Sequence, residues 1–406
     1  MKVLHTSDWH LGQSFFTQSR KQEHQAFLTW LLEQVSRHQV DAVIVAGDIF
    51  DTGTPPSYAR EMYNQFVVDL HRANCALLIL GGNHDSVAVL NESRQLLSQL
   101  NTFVVASTGV PEDDQILELH SQNRAPGAVV CAIPFIRPKD VLQSNAGETG
   151  AEKRQALGEA IKQHYQRIYD KARARANELG VPVIATGHLT ALGVSQSESV
   201  RDIYIGTLEG FAADGFPPAD YIALGHIHRP QKVAGRETIR YSGSPIPLSF
   251  DELSKPKEVL LVHFEGRELQ SVSPLEIPRF QPMQVIRGNV AQIEQTISEI
   301  GQSEQTQWLC VEVDTDEYLT DLQNRIQQVA QQANVEVLQL KRVRSPQRQA
   351  LRVQNNETLA ELTPEDVFEK RLANEDLAED EKESKATRLR ELFAEVTNSL
   401  QGGEGE

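Results

Sequence analysis

Short apolar runs separated by longer amphipathic stretches constrain this chain most strongly. The runs are five to seven residues long and rich in Val, Ile, Leu and Ala, and they lie at 40–46, 76–80, 128–133, 181–185, 219–224 and 258–264. Buried strands have this length and composition. The stretch 21–37 instead carries apolar residues at helical spacing, and 151–179 is polar enough to predict a long, mostly solvated helix. The alternation predicts an α/β domain built in layers.

Two further units are expected beyond residue 278. Apolar runs at 282–290, 308–314 and 335–343 predict three strands, and a helical stripe between the last two predicts a helix there (Leu319, Leu322, Ile326 and Val329). Residues 351–406 carry 15 Asp and Glu against 7 Lys and Arg, with two short amphipathic helices predicted. The expected boundaries are 1–278, 279–345 and 346–406. Helices on so charged a tail are expected to lie on the body of the protein or in a partner's groove.

Composition and charge restrict the class of protein. The net charge of −17 disfavours coating of nucleic acid by charge alone. Three distant cysteines predict neither a disulfide framework nor a zinc knot, and suit a reducing, cytoplasmic compartment. We expect no signal peptide, because His5 and Asp8 interrupt the first residues, and no membrane span.

Polar side chains follow five of the predicted strands and segments where each ends. They are Asp8, His10, Asp48, Asn83, His84, His188, His226 and His228. Singly, each has an ordinary structural interpretation, such as a turn aspartate, a core histidine or an Asx-turn asparagine. The carboxyl ends of strands in an open α/β sheet meet in one crevice, where ligands bind. The five groups together therefore predict a shared site.

The donor set at this predicted site is nitrogen and oxygen without thiolate. Such sets suit Mn²⁺, Fe²⁺ or catalytic Zn²⁺ better than Ca²⁺ or a structural zinc. Seven ligands are too many for one ion and fit two ions that share a carboxylate. Two ions about 3.5–4 Å apart clamp a phosphoryl centre and activate water. The set therefore predicts phosphoester hydrolysis.

The order DxH, GDxxD, GNHD, GH and GHxH resembles that of the calcineurin-like metallophosphoesterases. Further stretches are similar to one branch of that family, the nuclease subunits that act with an SMC-like ATPase in bacteria, and the similarity covers essentially the whole chain. They are "HTSDWHLG", "VAGDIFDTGTPPSYAR", "RDIYIGT", "YIALGHIHRPQ" and "YSGSPIPLSF". The resemblance implies a layered sandwich of sheets flanked by helices, a small α/β cap domain and a helical tail.

The resemblance also implies roles for matching residues. Two Mn²⁺ ions are expected, with other divalent metals possible; one would be held by Asp8, His10, Asp48 and His228, and the other by Asp48, Asn83, His188 and His226. His84 is expected to protonate the leaving oxygen.

Three neighbouring residues keep open interpretations. Asp85 could orient His84, tie the loop or act directly; Asp51 is expected to support its turn. Trp9 could stack on substrate or pack in the core. Thr52 stands where related monoester phosphatases have arginine, and "GNHD" replaces their GNHE, which favours a diester substrate.

The implied activity is an Mn²⁺-dependent DNA exonuclease and endonuclease on duplex ends and hairpins, in repair, recombination and replication. The implied setting is cytoplasmic and nucleoid-associated, as a homodimer within a heterotetramer with the ATPase. The stretches 55–70 and 92–97 are candidates for the dimer surface. A basic strip of Lys341, Arg342 and Arg344, extended by Arg348, is a candidate DNA contact or a solvated strand end. A diesterase acting on small nucleotides and a non-enzymatic scaffold are the alternatives.

Overall fold

The computed structural model describes residues 1–142, 149–200, 210–314, 319–343 and 388. The predicted tail helices, Arg344 and Arg348 lie outside these ranges. By its internal contacts the chain divides into Met1–Arg342 and Val343–Glu406. The description below concerns the first unit and the end of its last strand.

The described residues form seventeen strands and eight α-helices. The strands are β1 (Lys2–Thr6), β2 (Ser14–Phe15), β3 (Gln18–Ser19), β4 (Ala42–Val45), β5 (Ala76–Leu80), β6 (Thr102–Val105), β7 (Ile116–His120), β8 (Pro126–Cys131), β9 (Val183–His188), β10 (Tyr221–Gly225), β11 (Gln231–Val233), β12 (Arg236–Tyr241), β13 (Lys257–Glu265), β14 (Glu268–Ile277), β15 (Met283–Gly288), β16 (Gln307–Asp314) and β17 (Val335–Val343). The helices are α1 (Lys21–His38), α2 (Ser57–Arg72), α3 (Val87–Asn91), α4 (Arg94–Ser98), α5 (Pro138–Val141), α6 (Gly150–Leu179), α7 (Val290–Ile300) and α8 (Leu319–Ala330).

Two six-stranded mixed sheets form the body of the described structure. The first has the order β14-β13-β1-β4-β5-β6, and the second β11-β12-β10-β9-β8-β7. Strands β1, β4, β5 and β6 run parallel in the first sheet, as do β8, β9, β10 and β12 in the second. Antiparallel strands lie at one end of the first sheet (β13 and β14) and at both ends of the second (β11 and β7). The predicted strands at all six apolar runs are confirmed.

The sheets and helices stack in four layers, as the α/β prediction required. One core lies between the first sheet and helices α1 and α2, and a second lies between the two sheets. A third lies between the second sheet and α6. Helix α6 was expected to be mostly solvated, yet it buries a full stripe on the second sheet (Leu157, Ile161, Tyr165 and Ile168). The opposite face of α6 carries many Lys, Arg and Gln residues, and their number made the whole stretch read as solvated in the sequence.

A smaller three-stranded sheet follows in the order β15-β16-β17, with β15 and β16 parallel. Helices α7 and α8 cover it and share its core. Helix α7 is missing from the sequence prediction, which continued the strand to residue 290. The strand ends at Gly288, and Asn289 and Gln292 form a reciprocal capping box that begins the helix.

The small sheet contacts the larger layers through an aromatic cluster. Trp308 of β16 stacks on Phe15 of the β2–β3 hairpin, with ring centroids 5.8 Å apart. Phe250 and Met283 complete this cluster. The buried guanidinium of Arg20 lies 5.0 Å from the centroid of the Phe15 ring and is paired with Glu23. The hairpin therefore joins the first sheet's loops to the small sheet.

Within the described ranges, no helix combines the length and the apolarity that crossing a membrane requires.

Candidate metal centre

Five loops meet where parallel strands of the two sheets end. They follow β1, β4, β5, β9 and β10, and they bring together every predicted metal ligand. The backbone N–H of His226 donates to Asp8 (2.9 Å), which ties the second sheet to the first. The Nδ1 of His188 lies 2.9 Å from the carbonyl oxygen of Ala46 and makes a second tie. These two ties bring the polar residues that follow the strands of both sheets close together.

One cluster of donors contains Asp8, His10 and His228, whose candidate ligand atoms all lie within 4.8 Å of one another. The rings of His10 and His228 are 5.2 Å apart at 79°. The carboxylate of Asp48 borders this cluster, because its Oδ2 lies 3.7 Å from His10 Nε2.

A second cluster contains Asp48, His188 and His226, again with candidate ligand atoms within 4.8 Å. His188 Nε2 lies 3.2 Å from Asp48 Oδ2 and 2.9 Å from Asn83 Oδ1. His226 Nδ1 lies 3.1 Å from the same Asn83 oxygen. Asp48 therefore lies between the two clusters. His226 and His228, one residue apart, face different clusters.

Four of these residues adopt a left-handed backbone. The φ angles are +54° for Asp8, +48° for His10, +51° for Asp48 and +95° for His226. Residues other than glycine avoid this region, and exceptions concentrate at functional sites where surrounding structure fixes them. The loops therefore hold their side chains at a cost in backbone energy.

Close approach between neighbouring strand ends requires glycine at two places beside the clusters. A Cβ atom on Gly225 would lie 1.9 Å from the carbonyl oxygen of Ala46, and one on Gly82 would lie 2.1 Å from Asp48 Oδ1. Any side chain at either position would push the ligand loops apart.

The clusters fit divalent metal ions. Two buried imidazole nitrogens, His10 Nε2 and His226 Nε2, have no hydrogen-bond partner among the described residues. Buried polar atoms are otherwise almost always paired, so this pair of atoms points to a ligand. The donors are carboxylate, amide and imidazole, which suit a catalytic divalent ion.

The charged groups of the two clusters shift one another's pKa values. Burial alone would raise the pKa of Asp48, but the charge and hydrogen bond of His188 and the charges of His10 and His84 hold it well below its usual range. Burial likewise opposes protonation of His188, but the combined effect of Asp48, Asp8 and the Ala46 carbonyl raises its pKa to about 9. In the metal-free protein, His188 therefore carries a hydrogen on both ring nitrogens at neutral pH.

His84 lies at the edge of the first cluster. Its Nδ1 is 2.7 Å from the carbonyl oxygen of Asp51, and its backbone N–H donates to Asp48 Oδ1 (2.9 Å). Its ring is 4.7 Å from that of His10. A carbonyl can only accept, so Nδ1 of His84 carries a hydrogen in this contact.

The three open interpretations are resolved by contacts. Asp85 ties the loops, because its carboxylate accepts backbone N–H groups of Ile49, Phe50 and Gly82. Trp9 packs in the core between Phe27 and Phe66. Asp51 does more than support its own turn, because its carboxylate also contacts the ring of His10.

The sequence analysis missed the carboxylates that hold two of the histidines. Asp51 Oδ1 lies 3.2 Å from His10 Nδ1, and Glu252 Oε1 lies 3.6 Å from His228 Nδ1. The second D of "GDIFD" is a local signal that could have indicated the first contact. Nothing in the sequence around Glu252 links it to His228.

The basic strip is partly placed. Lys341, on β17, lies 3.6 Å from Glu198 in a half-exposed ion pair, and Arg342 is exposed. Arg344 lies outside the described residues.

Comparison with known proteins agrees with this geometry. Residues 1–230 match the family model described as calcineurin-like phosphoesterase, and residues 279–376 match the model SbcD_C, described as the type 5 capsule protein repressor C-terminal domain. The chain is 52% identical over 404 residues to the SbcD component of the nuclease SbcCD from Escherichia coli K12, covering 99% of both chains. It is 36% identical to the protein of that name from Rhodobacter capsulatus, covering 71% of each.

A protonated imidazole has no lone pair for a metal, so as an expected Mn²⁺ ligand His188 should release one proton when the ion binds. We expect the apparent Mn²⁺ affinity to rise as the pH increases from 6 toward 9, with proton release at pH 7. Isothermal titration calorimetry in two buffers of different ionisation enthalpy measures the released protons.

The matched variant is His188→Asn, which keeps an oxygen ligand but has no proton to lose. Its binding heat is expected to depend less on the buffer, by about one proton per protein. Equal heats in both buffers for the unmodified protein would contradict the assignment of that proton.

Proposed function

Since the chain belongs to the calcineurin-like phosphoesterases, and within them to the SbcD nuclease subunits, we propose that it hydrolyses phosphodiester bonds of DNA with two Mn²⁺ ions. The observation that carries the proposal is the pair of donor clusters on either side of Asp48, with two buried imidazole nitrogens lacking a partner among the described residues. The proposed ligands of one ion are Asp8, His10, Asp48 and His228. Those of the other are Asp48, Asn83, His188 and His226.

Divalent ions bound here would polarise the phosphate and supply an activated water as nucleophile. The chain's own residues do the rest. Asp48 holds the two clusters together, and the Asp51 and Ala46 carbonyls fix the ring orientations of His84 and His188. With its Nδ1 hydrogen held by the Asp51 carbonyl, His84 is proposed to donate a proton from Nε2 to the leaving oxygen, which requires the ring to be protonated on both nitrogens.

A diester substrate follows from the loop after β4. Monoester phosphatases of this superfamily use an arginine there to hold the additional phosphate charge. Thr52 occupies that position, in an exposed part of the loop. A phosphodiester carries one charge fewer and does not need the arginine.

The proposed partner is an SbcC-type ATPase, and the substrates are double-stranded DNA ends and hairpins. We place the protein in the cytoplasm, in association with the nucleoid.

The protein is proposed to act as a homodimer within a heterotetramer. The stretches 55–70 and 92–97 remain the proposed dimer surface: Arg60 and Glu92 lie 3.9 Å apart across one surface groove, and Leu96 of the second stretch is 65% exposed.

The first experiment is cleavage of an end-labelled hairpin duplex in Mn²⁺, with and without SbcC and ATP. Cutting is expected to require metal and to increase with the partner. In His84→Gln, the rate should fall by about 10²–10⁴-fold, because the general acid is lost while both donor clusters remain.

The control is Mn²⁺ binding by the same variant, which should match that of the unmodified protein. A fully active His84→Gln variant would refute the general-acid role. Metal binding without any DNA cleavage, accompanied by hydrolysis of a cyclic nucleotide, would instead establish the small-nucleotide diesterase.

We also propose that the strip of Lys341, Arg342 and Arg344 contacts DNA phosphates. Replacing all three residues with Gln should flatten the dependence of DNA affinity on salt by about 0.9 in slope for each lost phosphate contact. Fluorescence anisotropy of a labelled duplex at several salt concentrations measures that slope. The control is Lys171→Gln on α6, and an unchanged slope in the triple variant would contradict the proposal.

The tail 346–406 is proposed to bind the ATPase partner. Deleting residues 351–406 should abolish co-elution with SbcC while metal-dependent hydrolysis of bis(p-nitrophenyl) phosphate continues. Simultaneous loss of complex formation and hydrolysis would assign the tail a role in folding instead.

A further inference from the structure

A buried polar network lies behind His228, on the side away from the metal centre. Glu252 is its central group, with only 2% of its surface exposed. Glu252 Oε2 accepts from the ammonium of Lys257 (2.5 Å) and the backbone N–H of Leu248 (3.1 Å). Glu252 Oε1 accepts from the hydroxyls of Ser197 (2.8 Å) and Ser199 (2.5 Å). A carboxyl surrounded by donors and paired with a buried ammonium is a carboxylate, which can only accept.

Ser199 connects this carboxylate to His228. Its Oγ lies 2.6 Å from His228 Nδ1 as well as 2.5 Å from Glu252 Oε1. A serine hydroxyl has one proton to donate. The hydroxyl gives its proton to Glu252, because the carboxylate cannot donate and lies much closer than the Ser197 hydroxyl, which is 3.0 Å away and has its own contact with Glu252. Its lone pair then accepts from His228, whose Nδ1 must carry a hydrogen.

The consequence for His228 is a single tautomer. With hydrogen on Nδ1, the lone pair is on Nε2, the nitrogen left for the cluster of Asp8 and His10. Lys257 also donates to the His228 backbone carbonyl (2.8 Å), which fixes the main chain of the same residue. The network thus controls both the position and the tautomer of this ring.

We propose that Glu252 and Ser199 are positioning residues that hold His228 in its metal-binding tautomer through a one-way hydrogen-bond relay. The proposal rests on the proposed metal centre. The relay distinguishes His228 from His188. The tautomer of His188 is set directly by a backbone carbonyl, which no side-chain substitution removes. Among these two ligands, only His228 depends on side chains that lie far from it in sequence.

The decisive variant is Glu252→Gln, which has nearly the same shape but carries an amide that can donate. The amide reverses the relay, so Ser199 donates to Nδ1 and the His228 proton moves to Nε2. Long-range ¹H–¹⁵N spectra of the metal-free, histidine-labelled protein should show this exchange, with the His228 signals assigned by a His228→Gln variant. The unmodified protein should show the Nδ1–H form.

Metal binding provides an independent measurement. In Glu252→Gln, one of the two Mn²⁺ sites should weaken by about 10–100-fold in calorimetry, while the other keeps its affinity. Ser199→Ala should weaken the same site and leaves the Glu252–Lys257 pair intact. Ser195→Ala is the matched control, because that hydroxyl lies in the same loop and accepts from Arg229 instead. It should bind Mn²⁺ as the unmodified protein does.

Removing the Glu252 charge alone leaves Lys257 buried without its partner, which can prevent folding. The double variant Glu252→Gln with Lys257→Met removes both charges and should show the same tautomer change and the same weakened site. Retention of the Nδ1–H form and of both Mn²⁺ affinities in this double variant would overturn the relay. A Ser199→Ala variant with unchanged metal affinity would also overturn it. A protein that binds no Mn²⁺ at all would refute the metal centre, whereas the metal-free spectra would still test the relay.

Discussion

The buried carboxylate of Asp48 is the group on which the rest of the site depends. Taking a carboxylate out of water is costly unless opposite charges and donors surround it. Here His188 lies 3.2 Å away and the backbone N–H of His84 donates at 2.9 Å. These partners come from the loops after β9 and β5, while Asp48 itself follows β4. The need to satisfy one carboxylate therefore draws loops of both sheets to one point.

The loops around Asp48 are held in backbone conformations that they would not adopt alone. Left-handed φ angles at four candidate ligand positions each cost on the order of 1 kcal/mol. Asp85 helps to offset this cost, since its carboxylate accepts three backbone N–H groups from two loops. Burial, together with the nearby charge of Asp48, raises the pKa of Asp85 to about 6, while its three N–H donors favour the charged form. The loop geometry and the ionisation of this carboxylate are thus linked.

The candidate ligand histidines are supported in three different ways. His188 is held by a backbone carbonyl, His10 by the carboxylate of Asp51 and His228 by a serine that a second carboxylate orients. A backbone partner is fixed by the sheet itself. The side-chain partners add a dependence on charge, because only an ionised carboxylate keeps the proton of the ring on the intended nitrogen.

Much of the fold and of the candidate site followed from local pattern. The six apolar runs are strands because a buried strand needs both faces apolar over a short length. The candidate metal-binding residues could be located because they lie in or directly after the ends of the predicted strands. Helix α7 escaped prediction, because its capping box follows directly on a strand without an intervening break. The buried stripe of α6 was underestimated, because charged residues on its other face dominate its composition.

The sequence by itself determined which residues could bind metal and at which strand ends they would lie, since both depend on residue type and near neighbours. The division of the histidines between two clusters was implied only by the family resemblance, and tertiary structure alone decided which partner fixes each ring. It also placed Glu252 and Ser199 against His228, across separations of 24 and 29 residues. Such contacts depend on how two sheets pack face to face. That packing cannot be predicted from the spacing of residues along one strand.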